Sequence, residues 1–242
     1  MATTPEIIYQ DKDIVIINKP AGWLSIPDRF ELDKLNLYHW LEKQMGKVWT
    51  VHRLDKETTG IIIFALNEEA HKHLSQQFEG RTVQKIYIAL VDGRMAAPEG
   101  QIEKGIASHP SVAGKMITTT KGKAALTLFR VVENFKAFSL VEADIKTGRT
   151  HQVRVHFQAI GHPLAIDPLY GRRSELFLSE IKGKNFRLGK FEEERPLMSR
   201  TTLHAYKLTL EHPSTGEIRH FEAPLPKDFQ AILQQLRKWA AV

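Results

Sequence analysis

Val51-His52-Arg53-Leu54-Asp55-Lys56-Glu57-Thr58-Thr59-Gly60 places one carboxylate among basic residues, in a polar loop that runs straight into an apolar segment. An acid at the mouth of such a loop is held by a scaffold yet open to a cleft, the layout of an acid, a base or a nucleophile. The same residues suit a turn in which Asp55 caps its own backbone, helped by Thr58 and Thr59. Both readings stay open on these residues alone. A second stretch, Lys146-Thr147-Gly148-Arg149-Thr150-His151-Gln152-Val153-Arg154-Val155-His156, reads as a strand-to-helix turn whose outward N–H groups favour anions. Arg149 and Arg154 stand five apart, so on one helix they diverge by about 140°. That spacing suits two jobs, one arginine toward phosphate and the other inward to a carboxylate, and it equally suits a solvated basic helix.

Metal and nucleotide chemistry find little support. There are 11 histidines but no HExxH; His151 and His156 are five apart, and His71 and His73 point away from each other. No GxGxxG, GxxxxGK[ST] or GxSxG occurs. The expectation is no metal and no cofactor. Lys115, Lys121 and Lys123 fit either a phosphate-tracking strip or a charged hairpin tip.

The frame that would position these groups is legible in part. EIIYQ and IVIINKP flank Asp11-Lys12-Asp13 as a hairpin, and Lys19-Pro20-Ala21-Gly22 breaks the second strand. Residues 35–46 carry Leu37, Trp40 and Leu41 at helical spacing, with Gly46 as a stop. Gly60–Leu66 is nearly all apolar and predicts a strand buried on both faces. Asn67 caps a helix with the stripe Ala70, Leu74 and Phe78, ended by Gly80. Strands are expected at Lys85–Val91, Ala124–Val132 and Ala137–Ile145, then a helix over Thr150–Ile160. Residues 172–200 are polar and charge-dense, an insertion or mobile loop. Leu203–Leu210 and Ile218–Ala223 form a further hairpin around His212–Gly216. The last helix shows Phe229, Ile232, Leu233, Leu236 and Trp239 on one face. Many strands and few helices predict an α+β fold with a mixed, largely antiparallel sheet, in one domain over 1–242.

Composition sets the class. The 242 residues are 42% hydrophobic and 26% charged, which excludes wholesale disorder. The absence of cysteine rules out disulfides, thiol nucleophiles and thiolate metal sites. No apolar run approaches the ~20 residues of a membrane span, and the N-terminus lacks the order of a secretory signal. A cytoplasmic protein with no membrane partner is expected. The net charge is +6, and it is uneven: residues 1–100 carry 12 basic and 14 acidic side chains, residues 101–242 carry 22 and 14. Such an asymmetry suits a polyanion-binding face.

His52–Gly60 resembles the signature loop of the RluA-type pseudouridine synthases. Four other stretches agree in order: Asn18–Gly22; the tyrosine strand Lys85–Gly93; Lys146–His156 with Gly161-His162-Pro163 and Asp167-Pro168-Leu169-Tyr170-Gly171; and Leu203-His204-Ala205 through His212-Pro213. Together they span about residues 7–225. The resemblance implies a sheet with flanking helices and a central catalytic cleft, and conversion of uridine in RNA to pseudouridine without metal or cofactor. It implies Asp55 as the essential carboxylate, Arg154 as its basic partner and Tyr87 stacked on the target base. It implies RNA contacts by Arg53, His52, Arg149 and Lys85, with Leu203 in an apolar floor. It implies ribosomal or transfer RNA as the substrate, and a monomer needing no protein partner. Thr59 stands where the family usually has serine, and Ala165-Ile166 precede Asp167 where a glycine is usual. Relatives often carry an S4-type module; this sequence begins about six residues before its first strand, so none is expected. Lys182–Lys190 then becomes a candidate contact for substrate choice, with a disordered loop as the other reading. Two other functions share these features: a nucleic-acid N-glycosidase, which would release the base, and a non-catalytic RNA-binding or chaperone protein.

Overall fold

Asp11 ties the first turn of the chain. Its Oδ1 accepts the N–H groups of Asp13 and Ile14, each at 2.8 Å, which turns β1 (Glu6–Gln10) back onto β2 (Ile14–Lys19) as an antiparallel pair. The computed structural model describes residues 3–28, 31, 33–189 and 192–242. Its chain divides into two compact units, Met1–Tyr87 with His204–Pro224, and Ile88–Leu203 with Leu225–Val242.

In the first unit α1 (Leu37–Met45) starts at Asn36, whose side chain accepts the His39 N–H, and ends at Gly46 with φ 76°. β3 (Trp49–Thr50) precedes the loop 51–58, and β4 (Thr59–Ala65) follows it. Every residue of β4 is buried, as its unbroken apolar run predicts. α2 (Glu68–Gly80) is capped by Asn67, with Glu68 and Glu69 in the first turn, where the helix dipole favours acids. Gly80 is its last helical residue; the left-handed position beyond falls on Arg81, φ 60°. β5 (Gln84–Asp92) then carries the chain into the second unit.

That unit holds β6 (Glu99–Glu103), β7 (Ile106–Ser108), β8 (Met116–Thr118), β9 (Leu126–Asn134) and β10 (Phe138–Ile145). Its sheet runs β5-β10-β9-β6, with β9 antiparallel to both neighbours. β7 and β8 form a separate hairpin. The sequence pattern does not anticipate β6, β7 and β8, because β7 and β8 are only three residues long and in β6 only Ile102 is buried. α3 (Gln152–Ala159) begins two residues later than expected, since His151 adopts the left-handed conformation at φ 55°. Within 172–200 the chain forms α4 (Leu178–Lys182) and a 3-10 turn at Gly183–Asn185, and Leu176 bridges to Met198, both buried. Lys190, the end of the basic stretch 182–190, lies outside the described residues, as does Phe191.

β11 (Leu203–Glu211) returns to the first unit, and β12 (Ile218–Glu222) pairs with it antiparallel. There the order is β1-β2-β4-β11, all antiparallel except β4 with β11. Gly60 makes that parallel pair possible: its φ is 106°, and a Cβ there would stand 2.1 Å from the Ala205 carbonyl oxygen. Ile14, Ile16, Ile61, Ile63, Leu74, Leu208 and Leu210 form the core of this unit. α5 (Lys227–Trp239) closes the second, burying Phe229, Ile232, Leu233 and Leu236 as its stripe predicts. The architecture is α+β with a mixed, largely antiparallel sheet.

Candidate active site

The loop carrying Asp55 is held from beneath by a buried cation. Lys19 is fully buried at the end of β2, and its Nζ donates to the carbonyls of Pro20 (3.0 Å), Lys56 (2.8 Å) and Thr58 (2.8 Å). Two of those carbonyls lie in the loop, on either side of Glu57. Ser25 grips the same loop from the other flank: its Oγ donates to the Leu54 carbonyl (3.0 Å) and accepts the Leu54 N–H (2.9 Å). The Gly22 N–H donates to the Lys56 carbonyl, and the Thr58 N–H to that of Asp55. Leu54, Thr58 and Thr59 are buried, while Asp55 is half-buried and Arg53 exposed. The backbone of the acid is therefore fixed on both sides while its side chain stays accessible. The sequence pattern gives Lys19 only as a strand-breaker; its clamp depends on carbonyls 37 and 39 residues away.

Thr59, the residue in the usual serine position, bonds its hydroxyl to His204 Nδ1 at 2.9 Å. His204 is fully buried, and its Nε2 bonds the Ala223 carbonyl at 3.1 Å, an acceptor that requires the proton on Nε2. This bond pins the start of β4 to β11. Leu203, at the head of β11, is buried.

Tyr87 lies on β5, buried. Burial, and then the negative charge of Asp55, push its phenol well above the usual tyrosine range. The ring is thus neutral at physiological pH, near the carboxylate, and suited to stacking or to donating a hydrogen bond. His52 faces inward: its Nε2 accepts the Ile63 N–H at 3.1 Å, and its ring stacks on Phe78 at 4.7 Å. Burial and the nearby Lys85 charge push its pKa down to about 3. That matches the geometry, since only a neutral imidazole can accept at Nε2. Lys85 is itself buried, donating to the Val83 carbonyl and lying 5.6 Å from the Phe78 ring. His52 and Lys85 therefore spend these groups within the protein, whereas Arg53 between β3 and β4 is presented to solvent.

In the second unit the two arginines do not share one helix: Arg149 lies in the turn before α3, and Arg154 lies on α3 itself. Arg154 is buried, and its Nε and Nη2 form a fork on the two oxygens of the fully buried Asp167, at 2.7 and 2.9 Å. Arg149 is half-buried, and its Nε donates to the Ala124 carbonyl. Gln152 shapes the turn before α3: its Oε1 accepts from Thr147 Oγ1 (2.6 Å) and the Arg149 N–H (3.1 Å). Ala165 and Ile166, which stand before Asp167 in place of the usual glycine, are both fully buried.

An unforeseen cluster joins Asp11, Asp13 and His212 in the first unit. Its oxygens already have protein partners. Asp11 Oδ2 accepts from Tyr9 and His212, while Asp13 accepts from Asn67 and Ser214. Burial opposes ionisation of Asp11, but the bonds from Ile14, Asp13, Tyr9 and His212 outweigh it and hold its carboxyl below the usual range. The cluster latches the β1–β2 turn to the β11–β12 turn.

Comparison with known proteins places these residues in context. A sequence model described as RNA pseudouridylate synthase matches residues 13–159. The ribosomal large subunit pseudouridine synthase D of Nitrosomonas europaea is 38% identical over 237 residues, covering 96% of this chain and 65% of that protein. The Pseudomonas aeruginosa protein of the same name is 39% identical over 240 residues, with 96% and 72% covered. The chain thus spans roughly two thirds of the length of these relatives. Among solved structures, human RNA pseudouridylate synthase domain containing 4 superposes with a TM-score of 0.73 at 26% identity, covering 96% of this chain and 92% of that one. Among the described residues, no helix is long and apolar enough to cross a membrane.

Proposed function

Because this chain belongs to the RNA pseudouridylate synthase family, we propose that it isomerises uridine in structured RNA to pseudouridine, with Asp55 as the essential carboxylate. The observation that carries the reading is the pairing of a clamped, accessible Asp55 with a buried, neutral Tyr87 that feels its charge. Binding alone requires neither.

The reaction detaches the base at N1, turns it and rejoins it through C5, with loss of the C5 hydrogen. Asp55, ionised, either attacks C1′ of the sugar or removes a sugar proton; both use the same accessible carboxylate. Arg154 is assigned by the family resemblance as the basic partner of the essential carboxylate. The Tyr87 ring stacks on the turning base, a contact worth ~1–3 kcal/mol. The nucleotide must leave its helix or loop, which costs a few kcal/mol. Exposed Arg53 is the side chain placed to fill the vacated space, and Leu203 lines the apolar floor. Arg149 takes phosphate. His52 and Lys85 are the other RNA contacts that the resemblance implies, and within the protein they also bond the Ile63 N–H and the Val83 carbonyl.

Relatives named for the large ribosomal subunit favour ribosomal over transfer RNA as substrate. Action as a cytoplasmic monomer completes the proposal. The test is tritium release from ribosomal and transfer RNA transcripts carrying 5-tritiated uridine, wild type against Asp55→Ala. Release that vanishes in the variant supports the reading. RNA binding without release, equal in both proteins, favours a binding protein instead.

A further inference from the structure

Tyr170 stands at a junction that the reaction scheme leaves unassigned. It is buried, in the turn after Asp167, and its backbone N–H donates to the same Asp167 Oδ1 that receives Arg154 Nη2. Its hydroxyl accepts the Met116 N–H at 2.7 Å and bonds His151 Nδ1 at 2.9 Å. His151 is the residue in the left-handed region at φ 55°, directly before α3, and Arg154 follows on the first turn of that helix. A side chain with a Cβ enters that region only when its surroundings hold it there. The ring of Tyr170 is also used: the Arg154 guanidinium carbon lies 5.0 Å from its centroid and Lys115 Nζ 5.8 Å. Lys115 and Met116 belong to the β7–β8 hairpin, which carries the exposed Lys121 and Lys123 beyond it.

We infer that Tyr170 is a positioning residue for Arg154: its hydroxyl fixes the strained His151 that starts α3, and through Met116 it fastens the lysine-bearing hairpin to that arginine. The inference rests on the role proposed for Arg154. Asp167 alone fixes two nitrogens of the guanidinium, but the direction of the helix that delivers it depends on His151. Loss of the hydroxyl leaves the ring and the Asp167 bonds in place while removing partners from Met116 and His151 at once.

Tyr170→Phe is the variant to make. Single-turnover pseudouridine formation at saturating RNA is expected to fall about tenfold, the factor associated with one misdirected hydrogen bond, with RNA Kd within about twofold. The double variant Tyr170→Phe/Arg154→Lys should be no slower than Arg154→Lys alone, because both changes disturb one group. A purely structural tyrosine would instead slow the two backgrounds by the same factor, which overturns the inference. Wild-type activity in Arg154→Lys would remove the reading beneath it. A measurement without RNA separates the two. In 15N NMR of the free protein, the Arg154 Nε–H signal should shift in Tyr170→Phe, and the Met116 amide should exchange faster. An unmoved Arg154 signal overturns the positioning role whatever the activity.

Discussion

Lys19→Met tests whether the catalytic loop is clamped from within. The ammonium of Lys19 makes three hydrogen bonds of 2.8 to 3.0 Å to backbone carbonyls, two of them in the Asp55 loop. Bonds from a charged donor contribute ~1.5–3 kcal/mol each, and stranded buried acceptors cost ~1–3 kcal/mol each. Methionine matches the length of the stem but donates nothing. It also relieves the desolvation of a buried cation, which offsets part of the loss. The net expectation is a destabilisation of about 2–4 kcal/mol. For a chain of this size that lowers Tm by about 5–15 °C. The carbonyls at 56 and 58 would then relax, and a shift of ~1 Å at the carboxylate can cost ~10²-fold in rate. Urea unfolding, with the m-value as a control for compactness, gives the first number. Single-turnover pseudouridine formation at saturating RNA gives the second. A lost rate with unchanged stability would show that the ammonium serves the chemistry directly, and full activity would show that the loop is positioned by other bonds. Either result refutes the clamp.

Three further predictions concern single groups. Gly60→Ala would force a Cβ within 2.1 Å of the Ala205 carbonyl at φ 106°, so it should abolish stable folding or lower stability by more than ~3 kcal/mol in denaturant titration. Neutral His52, with its pKa pushed down to about 3 by burial and Lys85, binds fewer protons folded than unfolded below pH 6.5. Buried His156, whose pKa is lowered chiefly by burial, acts in the same direction. The His52 contribution to stability is complete above pH 6.5 and is lost progressively as pH falls toward about 3. His52→Gln should flatten that slope in unfolding measured from pH 7 to 4. Tyr87→Phe should keep most of the affinity for target RNA, because the stacking ring remains; Tyr87→Ala should weaken it by ~1–3 kcal/mol in binding titrations.

What the sequence disclosed and what it withheld follow one division. Features set by neighbours in the chain were readable: Asn67 as a cap, β4 as a doubly buried strand, and the stripe of α5. Features set by distant partners were not. Lys19 resembles a strand-ending surface residue until the carbonyls of 56 and 58 are brought to it. His52 resembles a loop histidine beside an arginine until Ile63 and Phe78 enclose its ring. The Asp11–His212 bond spans 201 positions and leaves no trace in either segment. His151 was invisible for another reason: left-handed backbone is advertised by glycine, and here a histidine takes it under the hold of Tyr170. The exposed β6 lacked the alternation that identifies a strand.

The central claim is that Asp55 drives rearrangement of uridine within RNA. Its most direct test is nucleoside analysis of ribosomal RNA fragments incubated with wild type and with Asp55→Asn, a near-isosteric change that removes the charge. The account predicts pseudouridine appearing in place of uridine with wild type and none with the variant. Free uracil released by wild type would contradict it and establish an N-glycosidase, and pseudouridine formed equally by Asp55→Asn would remove Asp55 from the chemistry.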